Sequence, residues 1–275
     1  MEPPSPAPAP APELAEQLSR LGEDLLLLSV RPRDGSIVTI SRISYGLMGS
    51  ELIRLAALRR VQVDQREITV LNAVPTGDAE LDAALDSLAG RRPPRPKTWV
   101  GHPRRGIRDV YLERLVAAGA LAGEPRGLLG RRRWVVTAPE RADGARARLD
   151  AIARSAGPVS LAQAAFGGLA HAVGLDRHLY PKFADRPLRW RLAEVGKGQS
   201  TPVTAAVDAA GAAARASSMA ATQAATQAAT DAAIQAATDA AIQAAVQAST
   251  AAAISAAASA SADAGGHAGG HAGHH

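Results

Sequence analysis

Leucines at positions 14, 18, 21, 25 and 28 recur three or four residues apart, the spacing of one face of a helix. They predict a helix over Glu13–Val30, stopped by Pro32 and Asp34-Gly35. Ser44 is placed to cap a second helix running to about Arg60, with Met48, Leu52 and Leu55 on one side. Val61-Gln62-Val63 and Ile68-Thr69-Val70 alternate around a polar centre and predict a short hairpin. Pro75-Thr76-Gly77-Asp78 reads as a turn whose aspartate caps a helix carrying Leu81, Leu85 and Leu88. Helical spacing returns with Ile107, Tyr111, Leu115 and Ala118 and ends near Gly119. Leu128-Leu129 and Trp134-Val135-Val136 predict a second hairpin, followed by helices near 140–155 and 160–180. The class is mainly α with small β-hairpins.

The two ends of the chain follow other rules. Residues 1–12 alternate Pro and Ala, a disordered, polyproline-like arm. From Thr222 to Ile254 a β-branched residue stands at every fourth position among alanines. A repeat of four drifts about 40° per step around a helix of 3.6 residues per turn, so the stripe winds and offers no straight face. Alanine still favours a long helix. The expected organisation is an arm (1–12), a helical domain (13–195), a linker and helix start (196–218), an Ala-rich repeat helix (219–262) and a disordered Gly/His tail (263–275).

Charge sharpens this division. The last 75 residues hold 34 Ala, no aromatic, one Arg and four Asp. Thirty bases against twenty-two acids leave the first 200 residues at +8, which favours anionic partners. The absence of cysteine excludes disulfides, thiolate metal sites and thiol catalysis. Met1-Glu2-Pro3-Pro4 lacks the pattern of a secretory signal, and Leu25–Leu28 is far short of a bilayer span. The expectation is a cytoplasmic protein that meets a membrane, where it does, peripherally at its cytoplasmic face.

Catalytic patterns are missing: there is no His-Glu-x-x-His and no Gly-x-Ser-x-Gly, and Gly196-Lys197-Gly198-Gln199-Ser200 has Gly where a phosphate loop needs Ser or Thr. Neither an enzyme nor a cofactor is expected. His171 lies among apolar neighbours and reads as a core histidine, and His267, His271, His274 and His275 are weak candidates for a divalent metal. The richest signal is Arg91–Arg108, with seven bases and no acid. Arg105 and Arg108, three apart at a helix start and preceded by Arg104, suit a phosphate, because planar guanidinium groups engage two oxygens. Nucleic acid is disfavoured, since few aromatics (Trp99, Trp134) interleave with the bases.

Ser44-Tyr45-Gly46-Leu47-Met48-Gly49-Ser50-Glu51-Leu52-Ile53-Arg54-Leu55-Ala56, then Ala73-Val74-Pro75-Thr76-Gly77-Asp78 and Leu81-Asp82-Ala83-Ala84-Leu85, resemble the Golgi phosphoprotein 3 family over roughly residues 19–190. The Ala-, Arg- and Pro-rich composition is similar to that of an actinobacterial branch. The resemblance, which leaves out the proline arm and the Ala-rich repeat helix, implies a single, mostly helical domain that docks on membranes through phosphatidylinositol 4-phosphate and retains membrane-protein clients. In that family a tryptophan, an early-helix arginine and an Arg-x-x-Arg pair hold the headgroup. The pair falls on Arg105 and Arg108, whereas Met48 and Thr39 stand where the arginine and tryptophan are expected. A looser preference for anionic lipid, carried by Arg104, Arg105 and Arg108, is therefore expected. The family's apolar membrane or oligomer hairpin falls on Leu128 and Leu129, followed here by Arg131, Arg132, Arg133 and Trp134. The alternative is a soluble structural protein that forms a homo-oligomer through its repeat helix and offers its basic face to an acidic protein.

Overall fold

A computed structural model of the chain describes residues 12–89, 92–126, 131–197 and 201–264. Met1–Ser218 and Met219–His275 form two compact units. In chain order the helices are α1 (Pro12–Ser19), α2 (Leu21–Ser29), α3 (Ile43–Ala57), α4 (Ala79–Leu88), α5 (Pro96–Gly101) and α6 (Ile107–Ala117). They continue with α7 (Pro139–Arg154), α8 (Leu161–Ala172), α9 (Leu175–Leu179), α10 (Arg186–Val195) and α11 (Thr201–Ala264). Two antiparallel pairs complete the fold: β1 (Val61–Val63) with β2 (Ile68–Val70), and β3 (Leu121–Arg126) with β4 (Arg131–Val136).

The core forms around α3, which buries eleven of its fifteen residues. Helices α1, α2, α4, α5, α6 and α8 and strand β1 all pack on it. From the predicted leucine stripe α2 supplies Leu21 and Leu25, and beside it Leu26 and Leu27, each almost wholly buried, whereas Leu28 is half-buried. Gly22 lets α2 approach so closely: a Cβ there would lie 2.6 Å from the Tyr111 ring and 2.8 Å from Ser50 Oγ. The single helix expected over Glu13–Val30 is two, broken at Arg20. Glu23 and Asp24 of α2 then pair with Arg141 and Arg148 of α7.

Other boundaries also move. The second helix starts at Ile43 after Arg42, so Ser44 lies inside it rather than capping it. The hairpin at 61–70 forms as expected, with Val61 opposite Val70. The later hairpin uses Leu121–Arg126 as its first strand, paired from Leu121↔Val136 to Arg126↔Arg131, whereas Leu128 and Leu129 lie outside the described residues. A two-stranded ladder is all edge, which is why Pro125 is tolerated within β3. The helix expected over 160–180 divides at Gly174 into α8 and α9. The core does not close at residue 195, because Val203, Ala206, Val207, Ala209 and Ala210 of α11 are buried in it. Within the second unit, residues 219–236 of α11 are exposed on every side, and Thr226 and Thr230 return their hydroxyls to the carbonyls four residues back.

Two glycine substitutions should have opposite signs. Gly22→Ala should cost about 1–3 kcal/mol by overpacking. Gly144→Ala, inside α7 with open space at its Cβ, should stabilise by about 0.5–1 kcal/mol. Urea unfolding midpoints of the two variants measure both.

Candidate anion-binding site

A helix enclosed on all sides cannot leave its polar side chains without partners, and α3 buries Ser50, Glu51 and Arg54. Ser50 donates to the Leu47 carbonyl at 2.7 Å. Arg54 donates through Nη2 to Asp78 Oδ2 at 2.6 Å. Asp78 Oδ1 accepts the amides of Glu80 and Leu81 at 3.0 and 3.4 Å, capping α4 as its position in the turn predicted. The same oxygen accepts Nη1 of Arg114, from α6, at 2.9 Å. Thr76 fastens the turn, its amide and hydroxyl donating to Asp82 Oδ1 at 2.6 and 2.7 Å. Burial opposes the charge on Asp78, but the hydrogen bonds from Arg54 and Arg114 outweigh it and hold the carboxyl well below the usual range.

Glu51 has no exposed side-chain surface and meets Arg104 in a two-pronged pair, Nη1 to Oε2 at 2.5 Å and Nη2 to Oε1 at 2.8 Å. Arg104 Nη2 also reaches the Glu80 carboxylate and carbonyl, both at 3.3 Å, and Nη1 lies 3.9 Å from Met48 Sδ. Burial pushes the Glu51 carboxyl up to about 7, against the hydrogen bonds and charge of Arg104. Arg104 therefore has its donors turned inward. The two other arginines of the expected trio are free of that task. Arg105 is exposed and makes no ion pair among the described residues. Among the described residues Arg108 pairs with its neighbour Asp109, at 3.1 Å, with side chains 32% and 60% exposed, a contact of little strength. Between them Gly106 takes a left-handed conformation (φ 78) and starts α6, so both arginines flank the first turn of an eleven-residue helix. A helix start turns the positive end of its dipole toward an anion; here the amides of Ile107 and Asp109 are already donated to the carbonyls of Arg104 and Gly106, at 3.2 and 2.8 Å.

The model of the Golgi phosphoprotein 3 family (GPP34) matches residues 21–217. The chain belongs to the Golgi phosphoprotein 3 family. It is also similar to vacuolar protein sorting-associated protein 74 of Eremothecium gossypii, 29% identical over 129 residues. That match covers 38% of this chain and 39% of the relative's length.

At the two positions where the resemblance expects further headgroup contacts, Met48 is 1% exposed and lies beneath Arg104. Thr39 is half-buried with φ 53, and its hydroxyl has no partner among the described residues. Of the hairpin residues, Arg132 and Arg133 are exposed, Trp134 is half-buried and donates its amide to the Gly35 carbonyl at 3.0 Å, and Arg131 opens β4. Arg91, Leu128, Leu129, His267, His271, His274 and His275 lie outside the described residues. His171 is not a core residue: its side chain is 39% exposed, and Nδ1 meets the buried Asp176 at 2.8 Å. Among the described residues no helix is long and apolar enough to cross a membrane, and no cluster of three or more His, Asp or Glu could hold a metal. The paired roles of Glu51, Arg54 and Arg114 were not anticipated. The available signal was two charged residues, Glu51 and Arg54, inside the apolar run of α3.

The geometry separates structural from surface arginines. Arg104→Ala, which strands Glu51, should cost about 3–5 kcal/mol, whereas Arg105→Ala should stay within about 0.5 kcal/mol of the parent in urea unfolding.

The two carboxylates act on stability in opposite pH windows. Asp78, its pKa depressed, contributes stability that is present above 3.8 and lost as pH falls through its folded value. Glu51, its pKa raised, contributes stability that is present below 4.5 and lost as pH rises through about 7. Unfolding midpoints followed across pH should accordingly lose part of their acid slope in Asp78→Asn and part of their decline toward neutrality in Glu51→Gln.

Proposed function

We propose that this domain is a non-enzymatic peripheral membrane protein that binds anionic lipid headgroups, phosphatidylinositol 4-phosphate or a related inositol lipid among them, in the manner of an adaptor. The observation that carries the reading is the pair Arg105 and Arg108 at the open start of α6, neither committed to a buried partner. Arg104 serves the same site from behind, anchoring the chain just before Gly106 to Glu51 and Glu80. Membership of the Golgi phosphoprotein 3 family supports a lipid or adaptor role. The buried Met48 and the half-buried Thr39 supply no charge to the headgroup, so the preference is for negative charge and phosphate rather than for one inositol isomer. The exposed basic hairpin, Arg132 and Arg133, adds attraction to an anionic surface.

A second reading is favoured by the exposure of residues 219–236 around the whole helix: copies of the chain assemble through the repeat helix, and the basic face serves an acidic protein.

Co-sedimentation with vesicles of phosphatidylcholine alone, with phosphatidylglycerol, and with phosphatidylinositol 4-phosphate tests the first reading. The parent chain should bind the anionic vesicles, less tightly as salt rises. Arg105→Ala/Arg108→Ala should weaken binding about ten- to a hundredfold. Equal binding by the double variant would remove the assignment, and binding lost on truncation after Ser218 would move it to the repeat helix.

A further inference from the structure

The 3-10 turn Phe183–Asp185 runs directly into α10. The inner side of α10 buries Leu192 and Val195. On its outer side Phe183 and Trp190 are 83% and 66% exposed, the two highest values among the large apolar side chains described. A turn of three residues followed by turns of 3.6 sets Phe183, Arg186 and Trp190 in one row, over roughly 11 Å. Two aromatic rings raised on one ridge form a surface that is stabilised when something covers it.

The charges around the ridge indicate what that is. Arg177, Lys182 and Arg186 have no ion-pair partner among the described residues. The nearby acids are occupied: Asp185 accepts the Lys182 amide at 3.2 Å, Glu194 holds Lys197 at 2.8 Å, and Asp176, 1% exposed, holds His171. The basic character continues away from α10. Burial, together with the charges of Arg31 and Arg42, lowers the pKa of His178. A Cβ on Gly174 would stand 3.0 Å from Arg42 Nη1. Gly35, within the same loop as Arg31 and Arg42, accepts the Trp134 amide of the basic hairpin.

We infer that Phe183 and Trp190 form an interfacial anchor, inserting into the headgroup layer of an anionic membrane while Arg177, Lys182 and Arg186 meet its phosphates. The inference rests on the reading that this domain meets anionic lipid, and it adds a contact separate from Arg105 and Arg108. A protein partner would need pockets shaped to two raised rings. A lipid layer deforms around a ridge and needs only negative charge at its surface, and Trp flanked by Lys and Arg is the composition found at that depth.

The test uses the full chain with phosphatidylcholine/phosphatidylglycerol vesicles. Phe183→Ser/Trp190→Ser, exposed changes that should leave the circular dichroism unaltered, should lower the partition coefficient about tenfold. Lipids brominated on the acyl chain should quench the parent's tryptophan fluorescence. Trp190→Phe, which keeps an apolar ring, should retain binding and lose most of that quenching. If the double serine variant partitions like the parent, or quenching is unchanged in Trp190→Phe, the anchor is overturned. Loss of binding in Arg105→Ala/Arg108→Ala would in that case leave the lipid reading standing. If the parent binds no anionic vesicle, both fall, and binding to poly-glutamate instead would assign the ridge to an acidic protein.

Discussion

One carboxylate, Asp78, receives donors from three helices: Arg54 of α3, Arg114 of α6 and two amides of α4. The constraint behind it is the enclosure of α3. A guanidinium 7% exposed cannot be solvated by water, so the turn that ends α3's neighbouring connection must bring it a negative charge. Meeting that demand fixes the end of the turn, the start of α4 and the roll of α6 together. Such an ensemble contributes little net energy over an apolar equivalent, but breaking any part of it leaves a charge buried alone. The position of α6, and hence of the arginines at its start, follows from this joint.

The net charge of the domain therefore has two meanings. Arg54, Arg104, Arg114, Arg141 and Arg148 are matched to Asp78, Glu51, Glu80, Glu23 and Asp24, and these pairs stitch helices. Arg31, Arg33, Arg42, Arg105, Arg132, Arg133, Arg177, Lys182 and Arg186 have no such partner among the described residues. The first set neutralises itself within the protein, and the second faces outward. A long-range field that draws the domain to a negatively charged surface comes mostly from the second set, because matched pairs cancel within a Debye length of about 10 Å.

Local chemistry was legible wherever a residue's neighbours in sequence decide its role. The Asp78 cap and the β1–β2 hairpin depend on spacing alone, and each is present; of the leucine stripe, Leu21 and Leu25 are buried but Leu28 only half, while Leu26 and Leu27 beside it are enclosed by tertiary packing. The close seat of α2 depends on Tyr111 and Ser50 meeting Gly22, contacts that no local window contains. Strand β3, Leu-Ala-Gly-Glu-Pro-Arg, has no alternation and is held by pairing with β4. At the candidate site, a basic run marked a segment but not the different surroundings of the residues within it. Arg104 and Arg105 are adjacent in sequence, and only the burial of Glu51, fifty-three residues away from Arg104, tells them apart.

Gly106 sits in left-handed backbone with nothing within 4 Å of where a Cβ would stand. The turn that presents Arg105 and Arg108 is held at its flanks, by Arg104 on Glu51 and Glu80 and by the buried Ile107, while the space beside Gly106 itself is open. A change at the exposed Arg105 alters what the domain displays without disturbing what it is built from. Ligand preference in this scaffold can drift while the architecture stays put, and Met48, sealed under Arg104 where a relative would be expected to show a charge, is consistent with that independence.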